Sequence, residues 1–294
     1  MVDVGLSLQA ERRYLDLVAP LAIGAADYVE VAPETLWHVA DDGELEPNRY
    51  HREIEELVRR HDLGVVAHGT GLSLGSADPR DELRLKRWLR RIRADLEVLR
   101  YRWYTDHIGV SMLAGRSLML PMPLPPLPMT AELVRTRLGA LQESIADVGF
   151  ENTVHYFLLG AWLDEPAWIA NALPAHGGWL LLDLHNAWTT GLNLGIDPQD
   201  WLSRIDLSRV IEIHVSGGSF SDPRWLPDGT TLRLDSHDHE VPGEVWKLLD
   251  EFLPRCPNLR GVTLERMEGS VTEDDVAPLQ AELLRLREVV DAHA

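Results

Sequence analysis

The segment LRLDSHDHEVPGEVW, residues 232–246, sets Asp235, His237, Asp238, His239 and Glu240 side by side before Val241-Pro242 ends the polar run. Side chains crowded in this way have two readings. They can form a solvated turn closed by an Asx-type hydrogen bond. Alternatively, Asp235 and His237, two apart in an extended segment, point the same way and chelate one ion. The segment alone weights the two equally.

Other residues raise the second reading. His68, His107, Glu151, Asp183, His214 and Glu265 each fall in or at the end of a short apolar run. A lone histidine there is more often a hydrogen-bonded structural residue. As a set they differ, because leaving each buried and unpaired would cost several kcal/mol. Paired charges or bound cations remove that cost. Histidine and carboxylate without thiolate suit zinc, manganese or iron. With Asp235 and His237, the donors exceed the roughly four to six that one ion takes. Two or three ions follow, with a bridging carboxylate. Glu151 is the candidate bridge, because its strand lies between those of His107 and Asp183. His239 and Glu240 then read as outer or solvated residues.

The elements that must position these groups are legible as apolar runs. Strands are expected at 2–8, 27–32, 64–69, 103–111, 149–155, 179–185, 210–217 and 261–267. Helical patterns cover about 10–23, 49–62, 80–100, 129–147, 163–173, 197–206, 243–254 and 272–291. Eight strands each followed by a helix predict a (β/α)8 TIM barrel of the xylose-isomerase-like type, spanning 1–294 as one catalytic domain. Chemistry in that fold sits at the C-terminal ends of the strands, where the histidines and acids fall. The proline-rich SLMLPMPLPPLPMT, 117–130, excludes a regular helix. It is either a stiff connection or a wall of the site's mouth.

Bulk properties exclude other classes. The net charge of -19 over 294 residues argues against nucleic acid and anionic membranes and would suit a cationic partner. No run of about 18 apolar residues predicts a membrane span, and the N-terminus lacks a signal-peptide pattern. A cytoplasmic protein is expected. Cys256, the single cysteine, excludes an internal disulfide and reads as a quiet structural thiol. Trp37, Trp103, Trp188 and Trp225 are either core residues or the lining of a peptide groove.

Several motifs in order resemble one family: GLSL, YVEVAPE, HGTGLSLGS, TDHIGVS, PMPLPPLPMT, ENTVHY, LLLDLHN, EIHVSGG, LDSHDHEVPGEVW and TLERM. The chain resembles the DUF692 family, the multinuclear non-heme iron-dependent oxidative enzymes. The resemblance implies two or three iron ions of mixed valence, with O2 as co-substrate. It implies oxidation of a ribosomally made precursor peptide, most often at cysteine and otherwise at aspartate or asparagine. A leader-peptide-recognition partner is implied as a means of delivery. Carried over by motif, His68, His107 and Glu151 are first-ion ligands, and Glu151, Asp183, His214 and Glu265 second-ion ligands. Asn186, Asp235 and His237 match a third, less tightly held metal. Glu151, His214 and Asp235 are the candidate catalytic residues.

The chain departs from the family pattern in places. Strand six reads Asp183-Leu184-His185-Asn186 where many members have two asparagines. His185 is either an extra ligand or simply a neighbour. No general base stands out beyond the ligands; Glu30, Glu34 and His155 face the same region, and His155 reads equally as a core residue. The alternative function is a zinc- or manganese-dependent barrel hydrolase or isomerase acting on a small molecule. A sugar isomerase would show a lysine among the strand-end residues, and none falls there.

Overall fold

A computed structural model describes residues 1–113 and 116–293. The strands in chain order are β1 Asp3–Ser7, β2 Tyr28–Val31, β3 Trp37–Val39, β4 Leu45–Pro47, β5 Gly64–Gly69, β6 Tyr104–His107, β7 Val110–Leu113, β8 Arg116–Met122, β9 Val148–Glu151, β10 Gly178–Asp183, β11 Val210–Val215 and β12 Gly261–Leu264. The helices are α1 Arg12–Ala25, α2 Arg49–His61, α3 Glu82–Leu99, α4 Pro128–Gln142, α5 Glu165–Ala172, α6 Leu184–Leu194, α7 Pro198–Leu202, α8 Gly243–Phe252 and α9 Val276–Ala292.

Eight strands close a parallel barrel in the order β1-β12-β11-β10-β9-β6-β5-β2, with helices outside. This is the TIM barrel that the alternating pattern predicts. Its strands are buried almost throughout, as a sheet covered on both faces requires. Local chemistry starts and stops the helices. Asn48 caps α2 by accepting from the backbone of Tyr50 and His51, and Asp62 ends it in the left-handed conformation.

The floor of the barrel carries a buried polar knot. Tyr28 Oη donates to Glu212 Oε1 at 2.9 Å, and Trp103 Nε1 donates to Glu212 Oε2 at 2.6 Å. Thr263 Oγ1 completes the set at 2.6 Å from Glu212 Oε1. The Tyr28 bond crosses the interior, since β2 and β11 are not neighbours in the sheet. Trp103 therefore belongs to the barrel floor, not to a groove. Trp37 is likewise buried, its Nε1 donating to Asp95 at 2.7 Å.

Three expectations are corrected. The sixth predicted strand stops at Asp183, and 184–194 is the helix α6. Asp183 itself ends the strand, because its Oδ1 caps α6 by accepting from the Asn186 backbone at 2.6 Å. Only the short α7 occupies the predicted 197–206 helix. The fourth strand stops at His107, and 110–113 pairs antiparallel with 116–122.

Candidate metal centre

The C-terminal mouth of the barrel gathers the predicted donors. His68 ends β5, its Nδ1 held by Thr105 Oγ1 at 2.9 Å, so Nε2 faces Glu151. His107 ends β6, with Nδ1 against the Gly69 carbonyl at 3.2 Å. Glu151 ends β9, which lies between the strands of His107 and Asp183. Its Oε2 lies 3.1 Å from His107 Nε2 and 3.5 Å from His68 Nε2, while Oε1 lies 3.6 Å from His214 Nδ1. The carboxylate thus faces histidines on both sides.

His214 projects inward from β11. The register between β10 and β11 slips between Leu180 and Leu181, so that Leu181 stands opposite Glu212 and Asp183 opposite His214. Such a bulge re-aims side chains beside a site. His214 Nδ1 lies 2.9 Å from Glu265 Oε2, and its Nε2 lies 2.9 Å from Glu30 Oε2. Asn152 latches Asp183 in place, pairing with both the backbone N–H and the carbonyl of that residue at 2.8 and 3.0 Å.

Asp235 and His237 come from the loop between β11 and α8. They do not meet by extended alternation. His237 has φ of 49°, a left-handed conformation rare outside glycine, and this turns its Nε2 to 2.6 Å from Asp235 Oδ1. Gly217 and Gly218 let the loop lie there: a Cβ on Gly217 would collide with the Glu240 carbonyl, and one on Gly218 with that of Leu234.

Among the described residues, five groups of donor atoms each lie within 4.8 Å of one another, and three of them carry the predicted ligands: His68, His107 and Glu151; Glu151, Asp183, His214 and Glu265; and Asp183, Asp235 and His237. The other two join His68 with His214 and Glu265, and Glu30 with Glu212 and His214. Asn186 lies beside these donors, its Nδ2 3.5 Å from Glu151 Oε1 and its backbone N–H donating to Asp183 Oδ1 at 2.6 Å. Ligands held at about 2.0–2.2 Å from one ion stand about 2.8–3.8 Å apart, the range of most of these contacts.

A second observation tests the fit. His68 Nε2, Glu151 Oε2, Asp183 Oδ2, His185 Nδ1, Asn186 Oδ1, His214 Nδ1 and Glu265 Oε2 are all buried and lack a hydrogen-bond partner. Orphaned polar atoms are rare in folded proteins, and these converge on one place. A bound cation would satisfy most of them together.

Electrostatics report the same crowding. Burial and the charges of Glu151, Asp235 and Glu265 push Asp183 well above the usual carboxylate range. Burial works to lower His68, but the nearby Glu151 carboxylate and the charge of Glu30 prevail and lift it to about 9. Burial likewise opposes the charged form of His214, and the carboxylates of Glu265 and Glu30 outweigh it, raising His214 well above its ordinary value.

The remaining candidates separate. Glu30 faces His214 and is buried, whereas Glu34 accepts from the backbone and hydroxyl of Thr70 outside the donor groups. His155 pairs with Glu165 at 2.8 Å. His239 is exposed against Asp238. Glu212, which escaped notice in the sequence, lies beneath His214 at 3.7 Å. Its signal was the i, i+2 spacing that places both on one face of a strand.

Beside the mouth, Pro123, Leu124 and Pro126 face Thr153, His155 and Leu159 across a cleft. Ile108, which follows His107, and Thr153, two residues after Glu151, line it together with the proline-rich segment.

Residues 3–291 match the model of a family described as the RiPP precursor modification enzymes MbnB/TglH/ChrH. The chain belongs to this family. Its similar relatives include UPF0276 proteins from Rhizorhabdus wittichii, 29% identical over 95% of this chain and 91% of the relative, and from Anaeromyxobacter sp., 31% identical over 78% of each. Among solved structures, D-psicose 3-epimerase from Clostridium cellulolyticum H10 aligns with a TM-score of 0.63 at 14% identity, covering 98% of this chain and 99% of that one. A xylose isomerase domain protein from Planctomyces limnophilus aligns with a TM-score of 0.58 at 12% identity, covering 99% and 97%. These two likenesses establish the xylose-isomerase-like fold. Among the described residues, no helix is long and apolar enough to cross a membrane.

Proposed function

We propose that this chain acts as one catalytic domain that oxidises a residue of a ribosomally made precursor peptide, using two or three iron ions and O2. The observation that carries the reading is the convergence of orphaned histidine and carboxylate atoms at the barrel mouth, in a chain of a peptide-modifying family. Iron bound there would supply the redox change that couples O2 reduction to oxidation of the peptide.

The chain's own residues do the rest. His68, His107 and Glu151 would hold one ion, Glu151, Asp183, His214 and Glu265 a second, and Asn186, Asp235 and His237 a third. Of the three donor groups, Glu151 is shared by the first two and Asp183 by the last two; Glu151, His214 and Asp235 are the residues we assign to catalysis. Glu30 and Thr105 fix the rings of His214 and His68 from behind. His107, more open than His68, faces the side from which a peptide enters along the 123–126 and 153–161 cleft. Cysteine is the first target to test, and aspartate or asparagine the next. A separate leader-recognition protein is the partner to seek.

The deciding experiment is elemental analysis of protein purified without oxygen after expression with iron and zinc both supplied. Two to three irons per chain, with a spectrum that changes in air, support this reading. One or two zincs, with no uptake of iron, would sink it and leave a zinc- or manganese-dependent hydrolase or isomerase.

A further inference from the structure

His185 is one residue of the metal-centre region that neither the three donor groups nor the family pattern uses. It lies in the first turn of α6 and is fully buried. Its Nε2 lies 3.2 Å from Thr189 Oγ1, one turn along the helix. Its Nδ1 has no hydrogen-bond partner. The acceptor nearest in register is Asp235 Oδ1 at 3.7 Å, too far for a hydrogen bond but within the spacing of two donors on a shared ion. Thr189 is thereby placed to fix the ring with Nδ1 turned toward the loop that carries Asp235 and His237.

We propose that His185 Nδ1 is an additional protein ligand of the third ion position, the one assigned to Asn186, Asp235 and His237 and bordered by Asp183, so that this chain holds its third ion with two histidines. The inference rests on the reading of the cluster as a metal centre. Donor chemistry points to a first-row divalent ion, since a second imidazole strengthens a site for iron, manganese or zinc but not for magnesium or calcium. His185 stands just outside the set of donors that lie within 4.8 Å of one another, so the loop carrying Asp235 and His237 must draw toward the ring when an ion binds. The backbone of His185 is held by α6, whose cap Asp183 belongs to the same donor group.

The test begins with chelator-stripped protein titrated anaerobically with ferrous ion, reading bound iron per chain against free iron. His185→Gln removes the donor at the Nδ1 position and keeps a polar group for Thr189. Thr189→Val does the reverse. The inference expects His185→Gln to weaken the last ion by about tenfold or more while leaving the tighter ions in place, and Thr189→Val to have a much smaller effect. An identical titration for His185→Gln and the unaltered chain would overturn it without touching the metal-centre reading. Failure of the unaltered chain to bind any ion would overturn both.

A second measurement does not depend on a folded variant. Crystals of the unaltered chain soaked in manganese would be examined by anomalous scattering. A peak about 2.0–2.3 Å from His185 Nδ1 supports the assignment. A peak held by Asp235 and His237 with Nδ1 beyond about 3 Å rejects it.

Discussion

Glu30 Oε2 lies 2.9 Å from Nε2 of His214, while Nδ1 of the same ring lies 2.9 Å from Glu265 Oε2. One edge of the imidazole is thus tied to the barrel wall and the other is presented to the donor cluster. A carboxylate behind a ligating histidine fixes its tautomer and raises its basicity. Glu30→Gln should therefore weaken metal retention by about 10- to 100-fold, read as faster loss of iron to a competing chelator. Unchanged loss would show that Glu30 does not govern how His214 holds metal.

The metal-free and loaded proteins should respond oppositely to pH. Burial, opposed by His214, lifts Glu30 to about 7, and Glu151 with Glu30 lifts His68 to about 9. Both values are raised above those of the unfolded chain. The stability each contributes is therefore full below its unfolded value, about 4.3 for Glu and 6.5 for His, and is lost as pH rises through 7 and then 9. Melting temperature of the stripped protein should fall between about pH 6 and 9. Iron must displace the His68 proton, so apparent metal affinity should rise over the same interval. A stripped protein that grows more stable across that range would contradict this account.

Gly218 tests the seating of the Asp235 loop. Gly218→Ala places a methyl group against the Leu234 carbonyl and must push the loop off β11. Overpacking of this kind costs about 1–3 kcal/mol, so the melting temperature should drop by several degrees. The Asp235 and His237 donors should be displaced with the loop, lowering iron content while the His68, His107 and Glu151 group keeps its ion.

Cys256 should be chemically silent. It is buried, its Sγ donates to the Phe252 carbonyl at 3.4 Å, and burial pushes the thiol up to about 12. Little thiolate exists at pH 8. Labelling by a thiol reagent should be at least about 100-fold slower in the native protein than in denaturant. Rapid native labelling would place the cysteine nearer the surface than the structure does.

Much of this architecture was legible because its strands are unbroken apolar runs. VVAHG and LLLDLH announce strands by hydrophobicity, and the histidines and acids close them. The expected strand 179–185 takes in Leu184 and His185, which belong to α6, for a related reason: Leu184 continues the apolar run, and Asp183 looks like a strand residue unless its role as a cap is noticed. Nothing in Ser236-His237-Asp238 signals a left-handed histidine, since the conformation is imposed by the packing of the loop on Gly217 and Gly218. Glu212 was hidden by its depth. A carboxylate tied by tyrosine, threonine and tryptophan from distant strands shows its partners only when the barrel closes.

The donors of the second group run from Glu151 to Glu265, and the strand before Glu265 is the one that joins β11 to β1. During synthesis, a growing chain therefore has no complete pocket for that ion until nearly all of its length has emerged. A metal ion meeting the nascent polypeptide would find only scattered imidazoles and carboxylates. Any ion bound by this group would therefore be taken up after the barrel has closed.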